Sequence, residues 1–389
     1  MKKTLLAAAL LAGFATAGVA QAETSVTLYG ILDTGYGYQN YKYDHDGADL
    51  KVRNSGLRSG TVNGNRFGLK GAEDLGDGLR AIFQLEQGFD LGNGQGSSTR
   101  QFHRQAFVGL SSDNWGTFTM GRQYSAGVEV GNLNVNGWNL GDVDKVFGAY
   151  GYANRIDNSF KYVTPDLAGF KVIALYGSEG NDAIDRDNGQ GWSKVKAHVD
   201  PITGNVVAEV PGSRERTSRT SLGLTYANGP ISAGASYDRS GQTKNEDAIT
   251  NWTVNAAYDF EVVKLNLAYG QDRHGKLGWA GNAGGLTGLG DAFDPALSKD
   301  FKSNNYHVGL SAPIGGGTLY AGWNYSTSNL DDSNKWGDNA GNISTYQINY
   351  FYPLSKRTGV YTYASYGKNL GYVKDLKGTE AGLGLNHKF

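Results

Sequence analysis

The sequence predicts an all-β fold, a 16-stranded antiparallel transmembrane β-barrel, on three observations. Runs rich in Tyr, Val, Leu and Thr recur from residue 25 to the end, with no helix-period segment longer than two turns among them. The connections between these runs alternate between short and long along the chain. Glycine supplies 58 of 389 residues and tyrosine 24, and cysteine is absent. That composition suits strands and turns, and it removes disulfides, thiolate metal sites and thiol nucleophiles together.

Residues 1–22 read as an export signal. Lys2 and Lys3 form a basic n-region, an apolar stretch follows from Leu5, and Ala20-Gln21-Ala22 fits the small-x-small cleavage pattern. The apolar run is shorter than the roughly 20 residues a membrane-spanning helix needs, and no basic stop-transfer flank follows it. The mature chain is then 23–389, one barrel. Loss of the two lysines moves the formal net charge from −1 to −3, which argues against a basic nucleic-acid binder.

In order, strands are expected near 25–39, 65–73, 79–89, 102–112, 117–124, 157–164, 170–177 and 219–227. The remainder lie near 231–239, 250–258, 263–271, 304–312, 318–326, 343–352, 358–367 and 379–389. Short turns fall at 74–78, 113–116, 165–169, 228–230, 259–262, 313–317 and 353–357; longer connections include 40–64, 125–156, 178–218 and 272–303. A soluble sandwich has no reason to place every short turn at one end, whereas an outer-membrane barrel has short periplasmic turns and long extracellular loops. None of the seven prolines interrupts an expected strand, as ladder hydrogen bonding requires. The strands are two-faced: Leu79, Ala81, Phe83 and Leu85 oppose Arg80, Gln84 and Glu86, and Leu383 and Leu385 oppose Glu380 and Asn386. The mean hydropathy of −0.44 excludes a polytopic helical membrane protein, but a closed barrel satisfies its backbone without long apolar helices.

Four segments carry a family resemblance: SVTLYGILDTGYGY (25–38), NRFGLKGAEDLGDGLRAIFQLEQGF (65–89), RQAFVGLSSDNWGTFTMGRQY (104–124) and GLGLNHKF (382–389). They resemble, in order and spacing, the Gram-negative general porins of betaproteobacterial and neisserial type. The resemblance implies a trimeric outer-membrane barrel whose third extracellular loop folds inward, and passive diffusion of small hydrophilic solutes and ions through it. It implies no enzyme activity, cofactor, metal or nucleic-acid partner. The implied partners are outer-membrane lipid and lipopolysaccharide, the barrel assembly machinery, and the permeating ions and solutes. Phe389 resembles the carboxyl-terminal insertion signal of such barrels.

The resemblance also implies site residues. The connection 125–154 stands where the inward loop would lie and offers Glu129, Asp142, Asp144 and Lys145, with Trp138, Val146 and Phe147 as apolar anchors. On the opposing wall, Arg66, Arg104 and Arg155 match the family's arginine positions, and Arg122 and Lys70 are further candidates. Guanidiniums facing carboxylates across a low-dielectric-walled passage focus potential and concentrate one ion sign, so a weak anion preference is expected. Strict alternation would carry Ala106 and Val108 to the lumen along with Arg104 and turn Phe107 outward.

Other functions find less support. No G-x-S-x-G elbow accompanies the six histidines, and His103 stands beside Arg104 in the expected lumen or girdle. Residues 270–276, GQDRHGK, imitate a phosphate-binding loop, but Leu277 replaces the required Ser or Thr. A substrate-specific channel with an aromatic track around 148–152 is the nearest competitor.

Overall fold

A computed structural model describes residues 25–45, 48–134, 143, 155–180, 198–199, 206–207, 216–241, 247–277, 300–332 and 335–389. The expected export signal therefore lies outside the described residues, as do Asp142, Asp144, Lys145 and the 148–152 segment. Among the described residues no helix is long and apolar enough to cross a membrane; the crossings are made by strands.

The first half of the wall comprises β1 (Ser25–His45), β2 (Ala48–Ser59), β3 (Arg66–Gly76), β4 (Leu79–Gly88), β5 (Ala106–Ser112) and β6 (Gly116–Tyr124). A helix, α1 (Ala126–Asn134), precedes β7 (Arg155–Val163) and β8 (Phe170–Gly180). A small separate hairpin, β9 (His198–Val199) and β10 (Val206–Val207), stands outside the barrel sheet. The wall resumes with β11 (Arg216–Asn228), β12 (Ile231–Ser240), β13 (Ile249–Asp259), β14 (Lys264–Arg273) and β15 (Lys302–Ile314). It ends with β16 (Gly317–Ser328), β17 (Ile343–Pro353), β18 (Thr358–Lys368) and β19 (Lys377–Lys388).

All wall pairings are antiparallel, and β1 pairs β19 from Ile31↔Lys388 to Lys42↔Lys377, which closes the sheet. On its other side β1 pairs β2 in its upper half and β3 in its lower half. β2 and β3 thus lie end to end and share one position, and the wall is a closed 16-stranded barrel. Asp33 fastens the break between them by accepting the Val62 and Asn63 N–H groups. The expected first long loop, 40–64, is therefore mostly strand. Its side chains alternate, with Tyr41 and Tyr43 buried and Lys42 exposed, but the apolar face has moved to the inside above the membrane.

The seven short turns and both strand ends Ser25 and Lys388 lie at one rim. Gly315 and Gly316, at φ +58° and +83°, form a two-residue turn whose left-handed backbone conformation lets it match the right-handed twist of the flanking strands. Burial is inverted relative to a soluble protein. Leu28, Leu57, Val108 and Leu383 are more than half exposed on the outside, whereas Asp33, Asp272, Asn305 and Glu380 are buried inside. This is the apolar-out, polar-in pattern of a membrane barrel, and 16 strands leave an aqueous lumen.

The β1–β19 seam explains two glycine pairs. Gly35 faces Gly384 and Gly37 faces Gly382 across it. The Tyr361 and Tyr363 side chains lie on Gly384 and Gly382, where a Cβ would collide with them. The two phenols then reach Asp33 and Glu380. Phe389 completes the seam by reciprocal backbone bonds with Gly30, at 3.0 and 3.1 Å.

A charged lumenal wall and its facing segment

Arg66 and Lys70 stand on the lumenal face of β3, because Phe67 and Leu69 between them are turned outward and exposed. The same parity puts Gln84 and Glu86 of β4 beside them, opposite Lys70 and Gly68. Tyr29 of β1 donates its hydroxyl to Glu86 at 2.9 Å. Onto this surface Arg104 descends from the connection before β5, donating Nε–H to Glu86 Oε1 at 2.6 Å. Its second bond goes to the Tyr124 hydroxyl, which also receives Arg155. The Arg155 guanidinium lies over the Tyr124 ring, 4.3 Å from its centre, an arrangement worth about 0.5–2 kcal/mol. The structure thus brings Arg66, Arg104 and Arg155 together around a single carboxylate.

Arg104 reaches the lumen for a reason the alternation pattern did not contain. The regular ladder stops at Ala106: Glu86 N–H bonds Gln105 O, and Glu86 O accepts Arg104 N–H, so two residues oppose one and the parity resets. Phe107 consequently pairs with Gln84 on the inner face and Val108 is turned outward, 54% exposed. The expectation that Val108 follows Arg104 inward is corrected. A second irregularity occurs in β7, where Asn158 takes φ +46° and three residues of β7 span what two of β6 span.

Arg122 is held differently. It forms an ion pair with Asp157, which also binds Arg100 at 2.6 Å, and donates Nε–H to His103 O. Lys70 has no carboxylate partner among the described residues and lies 5.5 Å from the Tyr29 ring centre. His103, in the connection before β5, is pushed below the usual imidazole range, first by burial and then by Arg104, Arg155 and Arg122. The neighbourhood is strongly positive. Arg58 of β2 was missed from sequence: it stands on the inner face beside Gly37, with buried Nε and NH2 groups lacking a hydrogen-bond partner among the described residues. The structure settles its side: Leu57 beside it is turned outward, 64% exposed.

Part of the facing segment is described. α1 lies against the inner faces of β11, β12 and β13. Ala126 N–H bonds Ser221 Oγ at 2.8 Å, and Val130 O accepts Asn255 Nδ2 at 2.9 Å. Gly223 and Gly234 admit the helix: a Cβ on either would come within 2.9 Å of Ala126 or Val130. Glu129 pairs with Lys161 of β7, which also bonds Tyr124 O; Lys161 was missed, although the exposed Phe160 and Tyr162 beside it place it inside. Farther on, Val143 is buried among Leu370 and Tyr372, with its N–H on Glu380 Oε2 at 3.3 Å.

A closed 16-stranded barrel with a polar interior, a short-turn rim and a lumenal cluster of cations defines a membrane-spanning channel. The Gram-negative porin family matches residues 7–372, and the chain belongs to that family. It is 40% identical over the full length of both chains to an outer membrane porin protein of Bordetella pertussis. Among solved structures, the anion-selective porin from Comamonas acidovorans superposes with a TM-score of 0.66 at 24% identity, covering 94% of this chain and all of that one. The trimer form of Vibrio cholerae OmpT gives 0.57 at 16% identity, covering 94% of this chain and 99% of that one. This chain is an outer-membrane porin, a channel and not an enzyme.

Proposed function

We propose that this porin passes small hydrophilic solutes and ions through a constriction between the arginine wall and the segment 125–154, with a weak preference for anions. The observation that carries the preference is three guanidiniums, Arg66, Arg104 and Arg155, gathered around one carboxylate among the described residues, Glu86. Arg104 is largely neutralised by Glu86 and Arg122 by Asp157, so the effective charge comes from Arg66, Arg155 and Lys70. Glu129, Asp142, Asp144 and Lys145 would border the passage on the loop side, with Glu129 already engaged by Lys161. Local charge outweighs the mature chain's net −3 because exposed charges beyond roughly 10 Å are screened. The Comamonas acidovorans porin is anion-selective, which supports the same sign.

For assembly, residues 1–22 serve as the export signal and Phe389 as the insertion signal read by the barrel assembly machinery. The mature barrel forms a homotrimer in contact with outer-membrane lipid and lipopolysaccharide. A trimeric neighbour supports the oligomer. Planar-bilayer recording tests both parts: three-step insertions report the trimer, and the reversal potential in a KCl gradient reports the selectivity. Single-step insertions or a clear cation preference would contradict it.

A further inference from the structure

We propose that the outer wall of β13–β16 carries a built site for one anionic lipid of the outer leaflet, its phosphate on Arg273 and Lys302 and its acyl chains in the groove below. The inference rests on the lipid-contact reading above and gives it a location.

The register of these strands arranges side chains in depth. Arg273 and Lys302 are direct cross-strand partners on the outward face, at the long-loop rim. One step toward the membrane centre, Gln271 faces Asn304. The next step is aromatic: Tyr269 faces Tyr306 and Tyr306 faces Tyr325, with ring centres 5.0 and 6.2 Å apart. Below that, Ala256, Leu267 and Val308 share a row. The order is cationic, amide, phenol, aliphatic, which matches phosphate, sugar or glycerol, interface and acyl chain in a lipid.

Two features go beyond an ordinary aromatic girdle. Val254, Ala256, Leu267, Val308 and the tyrosines line a groove of about 670 Å³ open to the membrane side. Ala256, small beside Leu267 and Val308 in its row, leaves room there. The second feature is the cation pair. Like charges directly opposite on a sheet repel, and among the described residues neither Arg273 nor Lys302 has an ion-pair partner. Two described carboxylates of that rim, Asp247 and Asp300, close instead on His274 at 3.6 and 3.8 Å. An anion between the two cations relieves the repulsion. The polar row beneath is already satisfied: Gln271 Nε2 binds both Tyr269 OH and Asn304 Oδ1 at 2.8 Å. It therefore stays in place as a fixed rim between head group and chains.

The test uses the purified mature barrel in detergent, with native mass spectrometry of bound diphosphoryl lipid A, its dephosphorylated form and inorganic phosphate. The wild type should hold the diphosphoryl lipid, and Arg273→Gln with Lys302→Gln should weaken it roughly 30-fold, the worth of two cations at a lipid surface. Ala256→Phe, which fills the groove, should weaken it with the cations intact. Lys264→Gln, at the opposite end of β14, should bind like wild type. Equal binding of the dephosphorylated lipid, binding of inorganic phosphate as tight as that of the lipid, or undiminished binding by the double variant would each overturn the site. Conductance separates this from the channel reading: a double variant that conducts normally and still binds lipid normally refutes the site and leaves the channel standing.

Discussion

Arg104 and Glu86 form the least exposed ion pair described in the barrel, Nε to Oε1 at 2.6 Å with side-chain exposures of 13% and 5%. The pair does two things. It holds Arg104 against β4 after the ladder has broken at Ala106, and among the described residues it supplies the only carboxylate bonded to Arg66, Arg104 or Arg155. Glu86→Gln should therefore raise anion preference, because the guanidiniums keep their charge and lose their counter-ion. It should also lower the thermal stability of the folded barrel, since breaking a buried pair leaves one charge uncompensated. Reversal potential and heat-modifiable gel migration read the two effects. An unchanged reversal potential would show that the pair lies off the ion path.

Tyr124 is the hinge of the same group, its hydroxyl receiving both Arg104 and Arg155. Tyr124→Phe keeps the ring under Arg155 and deletes the shared acceptor. The expected cost is about 1–2 kcal/mol, seen as earlier denaturant unfolding, together with noisier single-channel currents as the two guanidiniums lose their anchor. Tyr124→Leu, which removes the ring as well, should be more severe. Equal behaviour of the two variants would deny the ring contact any weight.

His103 gives the pH dependence. Burial and three nearby arginines hold its pKa below the usual value, so it is neutral near pH 7.5 and adds no charge there. Acidification protonates it against that field. Because the unfolded chain binds the proton more readily than the folded one, stability falls as pH drops below the ordinary imidazole range. His103→Gln should match wild type in selectivity at pH 7.5. It should also remove both the acid-side rise in anion preference and the acid-side loss of stability. A difference from wild type already present at pH 7.5 would mean that the imidazole is charged there.

The β1–β19 seam depends on bare backbone at Gly384. A Cβ there would overlap the Tyr361 hydroxyl and come within 2.7 Å of Thr34 O. Gly384→Val should impair closure, lowering the yield of heat-modifiable barrel, while Thr99→Val, at an exposed position in the connection before β5, should not change that yield. Normal closure in the Gly384 variant would refute the packing account.

Most of the wall was legible because a membrane barrel repeats one rule: residues facing lipid must be apolar and those facing water need not be. Leu383 and Leu385 against Glu380 and Asn386 show it in its simplest form. The rule fails where the strand leaves the membrane. Around Tyr41, Lys42 and Tyr43 the outside is wet and the inside is packed against Leu370 and Tyr372, so the alternation inverts and a strand resembles a loop. It fails again at irregularities. A residue inserted near Gln105 or Asn158 flips every side chain beyond it, and nothing in the local composition marks the insertion. The arginine positions came through family motifs. Lys161, by contrast, sits between outward-facing Phe160 and Tyr162, and stricter use of the alternation alone would have found it; Arg58 shares its parity with Leu50 and Val52, so alternation along β2 points it to the wrong face.

The central claim is that unpaired cations on one wall set the sign of the channel. It is tested most directly by the zero-current potential across a bilayer holding the wild-type channel and an Arg66→Gln, Arg155→Gln double variant in a tenfold KCl gradient. The wild type should prefer chloride weakly, and the double variant should shift toward zero or to cation preference at little change in conductance. A wild-type channel that prefers potassium, or a double variant with the wild-type potential, would contradict the account.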